Sequence, residues 1–334
     1  VTFNLNGNIV NVDRVTQLIP GLFTLTNGTF RYRSASVNTE YTIGSAVLPG
    51  CRMLVTGATV DGSHSSPKYV RVHPSCALVF TNGAALKAVT AAYFYVYSNA
   101  VMNLVDSSLT GAYPSLYGEK GSYLFRGLTA NTGYFPTFTS TSASSSLSII
   151  DCAVGDMQQQ YKYFFLGTGN VVTMSGGSRK AWDHLAYWGT GNDCTFNICD
   201  GASLLVDSSF DCGSNYTGTN NVLHIHDGTL DFGRSSSTDT GVAKGITMRL
   251  SGTKPVVTCR VPLSAQYTFQ FDVPATTNEV WSAAPSRVVA NNINVTNSTL
   301  VVIAKELRQN GGGVVPLFSK STTGNWGDEI NFKK

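Results

Sequence analysis

One short phrase recurs down this chain and restricts its fold more than any other property. It runs apolar, variable, apolar, polar, then Asn, Asp or Gly ahead of a small residue. It reads Phe23-Thr-Leu25-Thr-Asn27-Gly28 near the start and Leu78-Val-Phe80-Thr-Asn82-Gly83 further on. The second half gives Phe196-Asn-Ile198-Cys-Asp200-Gly201 and Leu223-His-Ile225-His-Asp227-Gly228. The turn position falls at 27, 57, 82, 106, 151, 176, 200, 227, 252 and 297. Most spacings lie near 25, and two of 45 leave room for one degraded copy each. Phe269-Gln-Phe271-Asp272 fills the later gap, whereas no clear copy is seen near Leu128 in the earlier one.

The phrase is a strand with alternate residues inward, closed by a turn that accepts left-handed backbone angles. A repeat of about 25 residues suits one coil of a solenoid whose strands pair in parallel with the coils above and below. The expected fold is therefore all-β, a parallel β-helix of about a dozen coils. A single domain is expected over 1–334, with an N-terminal coil or cap over 1–22, stacked coils over 23–302 and a C-terminal cap over 303–334. Ala304-Lys-Glu-Leu-Arg-Gln-Asn310 before Gly311 reads as a short helix in that cap. A two-sheet sandwich is the competing fold, but it would show turn signals every 8–12 residues or so. The register puts Phe23, Leu25, Leu78, Phe80, Leu104, Ile149, Phe196, Ile198, Leu223, Ile225 and Leu250 inward. It puts Thr24, Val79, Asn103, Asn197, His224 and Arg249 outward.

Composition agrees. Charged residues make up 13%, and long amphipathic helices need more charge than that on their wet face. A net charge of +3, carried by scattered Lys and Arg, does not make a nucleic-acid surface. No apolar run approaches the length of a membrane span. A start at Val1 without Met is compatible with a mature secreted form or a trimmed chain.

The phrase and its spacing resemble the pectin-lyase-like right-handed β-helices, and look closest to repeat-rich secreted bacterial surface proteins with autotransporter-passenger-like coils. Arg249-Leu-Ser-Gly-Thr-Lys-Pro-Val-Val257, Phe269-Gln-Phe-Asp-Val-Pro274 and Ser298-Thr-Leu-Val-Val302 look like the closing coils of such proteins. The resemblance implies a right-handed helix and a secreted, extracellular or cell-surface location, and it carries over no catalytic residue.

Chemistry-bearing residues cluster in Ser178-Arg-Lys-Ala-Trp-Asp-His-Leu-Ala-Tyr-Trp-Gly189. Arg179, Trp182, Asp183, His184, Tyr187 and Trp188, with Tyr161, Lys162 and Tyr163 one coil earlier, are candidates for stacking on sugar rings. They suit burial under a loop equally well. His224 and His226 flank Ile225 and project on one side, the geometry of a two-ligand metal face, yet their slots are outward and read as solvated surface. Asp106, Asp151, Asp200 and Asp227 share the turn slot, where Asp is also an ordinary turn residue. Stacked carboxylates there would suit calcium or proton transfer to a polysaccharide. No cofactor motif is present.

The seven cysteines are an odd number, so at least one is free or pairs outside the chain. Cys51 and Cys76 each sit four residues before an inward residue of consecutive coils, a slot that allows a disulfide. Cys194 shares the slot with Asn170 and Asn221 as neighbours. The expected function is a non-catalytic structural, adhesive or self-assembling extracellular protein that binds a polysaccharide or cell-surface glycan. Homo-oligomers or head-to-tail filaments are open to such a fold. The alternative is a polysaccharide lyase or glycoside hydrolase working in a groove along the helix.

Overall fold

A computed structural model describes residues 1–33, 39–62, 68–88, 92–110, 114–130, 137–139, 144–157, 162–165, 167–182, 186–188, 191–206, 218–232, 244–264, 266–273, 288–294, 299–304 and 318–320. The chain is a parallel β-solenoid, with no helix among the described residues. It divides into two compact units, Val1–Gln158 with Phe164–Val171, and Gln159–Tyr163 with Val172–Lys334.

In the first unit the phrase-bearing strands stack in one row. Thr2–Asn4 pairs with Gly21–Tyr32, then come Cys51–Gly62, Ala77–Thr81, Val101–Val105, Ser122–Arg126 and Ser146–Ile150, each parallel to the last. The solenoid thus runs to about seven turns, and the expected dozen is corrected.

The stacking joins inward residues into columns. Leu25 lies opposite Val55, Val55 opposite Phe80, Phe80 opposite Leu104, Leu104 opposite Phe125 and Phe125 opposite Ile149. All six are buried. The second unit repeats the arrangement with Ile198, Ile225, Leu250 and Phe271. No coil could remove these side chains from water alone, because one strand covers only its own edge of them. Fully burying each aliphatic or aromatic side chain is worth about 1.5–3 kcal/mol. Phe23 is the exception among the expected core residues. It is half-buried, since Val1 and Met53 line one apolar cavity with it. The outward set holds: Thr24, Val79, Asn103, Asn197 and His224 are half-buried and Arg249 is exposed.

The turn slot adopts left-handed angles at Asn27, Gly57, Asn82, Asp106, Asp151, Gly176, Asp200, Asp227 and Gly252. Gly127 does so too, at φ +57°. The copy not found near Leu128 is therefore Tyr123-Leu-Phe125-Arg-Gly127, with Tyr123 and Phe125 buried. An apolar Leu124 between them hides the alternation, and Leu128 stands where a small residue is usual.

A second row of left-handed turns precedes eight strands of the row, at Gly50, Ser75, Asn99, Lys120, Ser144 and Gly169 in the first unit and Asp193 and Asn220 in the second. The residue after each turn is buried: Cys51, Cys76, Ala100, Gly121, Ser145 and Asn170, then Cys194 and Asn221. Asparagine side chains there hold backbone rather than solvent. Asn170 Oδ1 accepts from the Ser145 N–H at 2.9 Å while its Nδ2 donates to the Gly167 carbonyl at 2.7 Å. Asn221 does the same between the Cys194 N–H at 2.8 Å and the Gly191 carbonyl at 2.8 Å.

The first unit has another sheet of six strands: Val15–Gln17, Thr39–Ile43, Lys68–Val72, Ala92–Val96, Pro114–Gly118 and Thr137–Thr139. Its inner face joins the core through Ile43, Val72, Phe94, Val96 and Leu116. The expected cap residues 305–317 lie outside the described residues. Phe318–Lys320 is a strand parallel to Val288–Asn294.

Candidate functional site

The outer face of that six-stranded sheet is a tyrosine surface. Alternation turns Val70, Val72, Phe94, Val96 and Leu116 inward, so Tyr69, Arg71, His73, Tyr93, Tyr95, Tyr97 and Tyr117 must face the other way, where all are half-buried. Parallel register then brings coils together: Tyr69 lies opposite Tyr93, Arg71 opposite Tyr95, and Tyr95 opposite Tyr117.

The rings pack on one another. Tyr69 and Tyr93 have centroids 5.4 Å apart at an interplanar angle of 20°, and Tyr95 and Tyr117 are 4.9 Å apart at 13°. His73 stacks on Tyr97 at 5.1 Å. The Arg71 guanidinium carbon lies 5.1 Å from the Tyr69 centroid and 5.7 Å from that of Tyr95. These are attractive offset-stacked and cation–π distances. Burial is the main cause that pushes the Tyr95, Tyr97 and Tyr117 phenols above their ordinary pKa, joined at Tyr97 by the Glu119 carboxylate. The phenols are therefore neutral hydrogen-bonding groups near pH 7.

The backbone beneath is fixed from the core. The buried Tyr123 hydroxyl lies 2.8 Å from the Phe94 carbonyl and 3.0 Å from the Tyr117 carbonyl, tying the strands that carry Tyr93, Tyr95 and Tyr117. Because the rings cover one another's faces, the surface presents ring edges and phenol hydroxyls around the Arg71 cation. Such a surface can hydrogen-bond a polyhydroxylated molecule and pair with a carboxylate, and stiff tyrosines lose little entropy in doing so.

Sequence reasoning missed this face. Its signal was Tyr93-Phe-Tyr-Val-Tyr97, three tyrosines at alternate positions of one strand, with Tyr69 one coil before. The residues it favoured are placed as follows. Arg179 and Trp182 lie on the strand Arg179–Trp182, Tyr187 and Trp188 on Ala186–Trp188, and Lys162 and Tyr163 on Lys162–Phe165. The side chains of all six lie outside the described residues, as do Tyr161, Asp183 and His184 altogether.

His224 and His226 are not solvated surface groups, which corrects the expectation. Both are half-buried, and one ring nitrogen of each lies against Ser251 Oγ, at 2.7 and 2.8 Å. The register puts His226 directly opposite Ser251, a proximity that single-strand reading could not supply. Asp227 is occupied with the turn of the next coil: its carboxylate accepts from the Lys254 N–H at 2.5 Å and the Thr253 hydroxyl at 3.4 Å. Among the described residues no group of three or more His, Cys, Asp and Glu is placed to hold a metal ion.

Cys51 and Cys76 are buried free thiols in one slot of consecutive coils, one residue before the paired Arg52 and Ala77. Both donate toward the Leu48 carbonyl, at 3.8 and 3.7 Å. Burial first, then the adjacent Cys76 thiol, raises the Cys51 pKa.

No family model matches the chain, and neither a curated protein nor a solved structure matches it. No helix among the described residues is long and apolar enough to cross a membrane.

Proposed function

We propose that this is an extracellular scaffold whose tyrosine face binds a polysaccharide or cell-surface glycan. One observation carries the reading: five tyrosines, Arg71 and His73 gathered from three coils onto one outer face of the first unit. Tyr and Arg are the side chains that most often carry binding energy at protein surfaces. Ring edges and hydroxyls suit sugar hydroxyls, and Arg71 suits a carboxylated sugar such as a uronate. Right-handed coiling, kinship with autotransporter-passenger-like surface proteins and a C-terminal cap belong to the same proposal. They rest on the sequence phrase and on the strong right-handed preference of parallel crossovers.

The test is a panel of neutral and uronate-containing polysaccharides titrated against the intact chain and its Tyr95→Ala, Tyr117→Ala and Arg71→Ala variants. Each tyrosine truncation should weaken binding roughly tenfold, about 1.4 kcal/mol, with the circular dichroism unchanged. Arg71→Ala should remove the preference for uronates and the salt dependence that goes with it. Binding to no member of the panel, or binding indifferent to all three substitutions, defeats the proposal.

A further inference from the structure

We infer that Ser251 is a nucleophile, activated by His224, that accepts the acyl group of a carboxylic ester. The observation is a hydrogen-bonded chain crossing four strands of the second unit: Thr173, Asn197, His224 and Ser251, with His226 closing on the same hydroxyl. Its directions can be worked out atom by atom. Asn197 Nδ2 donates to Thr173 Oγ1 at 3.1 Å, which leaves Asn197 Oδ1 facing His224. An amide oxygen only accepts, so His224 Nδ1, 3.3 Å away, must carry the hydrogen. In the neutral ring Nε2 is then a bare acceptor, and it lies 2.7 Å from Ser251 Oγ. The serine has a single hydrogen, which points to His224. The second imidazole, 2.8 Å from the same oxygen through Nδ1, must therefore donate to it.

A hydroxyl directed at a base whose other nitrogen is held by an orienting acceptor is the arrangement that activates a serine. The neutral form of His224 is favoured by burial, then by Arg249 and His226, against the opposing pull of Asp272. Two imidazoles on one hydroxyl need His at both outward slots of one strand, as at His224 and His226. Arg249, exposed and paired with Asp272 at 2.5 Å, stands opposite His224 and places a cation beside the group. Ser251 is 8% exposed as a residue, which limits any substrate to a small acyl group.

The chemistry balances with water as the only co-reactant. Ser251 Oγ attacks the ester carbonyl carbon and its proton passes to His224 Nε2, while Nδ1–H stays on Asn197. The tetrahedral adduct expels the alkoxide, which takes the proton from Nε2 and departs as the alcohol. Water then attacks the acyl-serine carbonyl, giving its proton to Nε2. Collapse releases the carboxylic acid, and that proton returns to Ser251 Oγ. His226 Nδ1–H, 2.8 Å from Ser251 Oγ, is a donor beside the charge that develops. Asn197 acts through His224 and is a positioning residue.

Intact chain treated with a small fluorophosphonate, followed by peptide mapping, reads the nucleophile without any variant. A one-to-one adduct on Ser251 is expected. Hydrolysis of p-nitrophenyl acetate should rise with pH as His224 loses its proton, with the inflection below the ordinary imidazole value. His224→Gln should slow both reactions at least a hundredfold with circular dichroism retained. Asn197→Ala should lower kcat and move the inflection, which a purely structural role would not do. Folded chain without an adduct on Ser251, or with adduct formation unchanged in His224→Gln, overturns the inference.

Discussion

The side chains that govern single coils are polar ones facing inward or sideways, and they are the part of the chain hardest to read from a repeat. Asn221 pairs a backbone N–H and a carbonyl of the neighbouring turn, both cut off from water. Asn221→Ala removes both of these buried hydrogen bonds, and urea unfolding should show a loss of about 2–4 kcal/mol, more than the same change at exposed Asn27. Ile225→Ala should cost about 2–5 kcal/mol by opening a cavity in a packed column. His224 carries a pH dependence. Its pKa is lowered in the fold, so its contribution is complete above the unfolded value of about 6.5 and is lost as pH falls through and below that point. Thermal midpoints measured from pH 7.5 down to 5 should fall, and His224→Gln should flatten the part of the slope that His224 supplies. Alternation told that His224 points outward, and it does. Alternation says nothing of what stands beside it one coil away, and that is Ser251.

At the level of strands and turns the sequence was legible wherever a turn residue and a period coincided. The left-handed slot at Asn82, Asp106, Asp200 and Asp227 follows from Asn and Asp tolerating those angles. The tyrosine face was hidden because its rows belong to a second sheet with no repeated phrase, and register decides which tyrosines meet. Tyr93 is two dozen residues before Tyr117, yet the structure pairs Tyr95 with Tyr117 and Tyr93 with Ser115. Turn and strand also constrain each other vertically. A Cβ on Gly252, where φ is +86°, would lie 2.5 Å from the Asp227 carboxylate of the preceding coil. Gly252→Ala should therefore destabilise by more than the roughly 1–2 kcal/mol of a left-handed alanine alone. In a double-mutant cycle with Asp227→Ala the combined loss should be smaller than the sum, as expected of residues in contact. The Cys51–Cys76 bridge read from the sequence is tested in the same spirit. Mild oxidation of the folded chain by a small disulfide should join them and raise the thermal midpoint, and a tryptic map lacking the linked peptide after oxidation would refute it.

For the molecule as a whole, each strand is held by the coil before and the coil after. Stability is then a sum of neighbour terms within a unit rather than the property of one central core. Phe271→Ala should accordingly lower hydrogen-exchange protection in Asn221–His226, Lys244–Ser251 and Thr299–Ala304 far more than in Cys51–Gly62 of the other unit, and uniform loss across both units would contradict this. The same neighbour rule decides which changes of length such a gene can accept. One residue inserted into Val101–Val105 would turn Met102 and Leu104 toward water and Asn103 toward the core, and so ruin the strand. One whole coil duplicated in tandem keeps every inward residue inward and gives each new strand a copy of a partner it already fits. For this chain the small mutation is the lethal one, and lengthening by a full repeat is the route along which it can evolve.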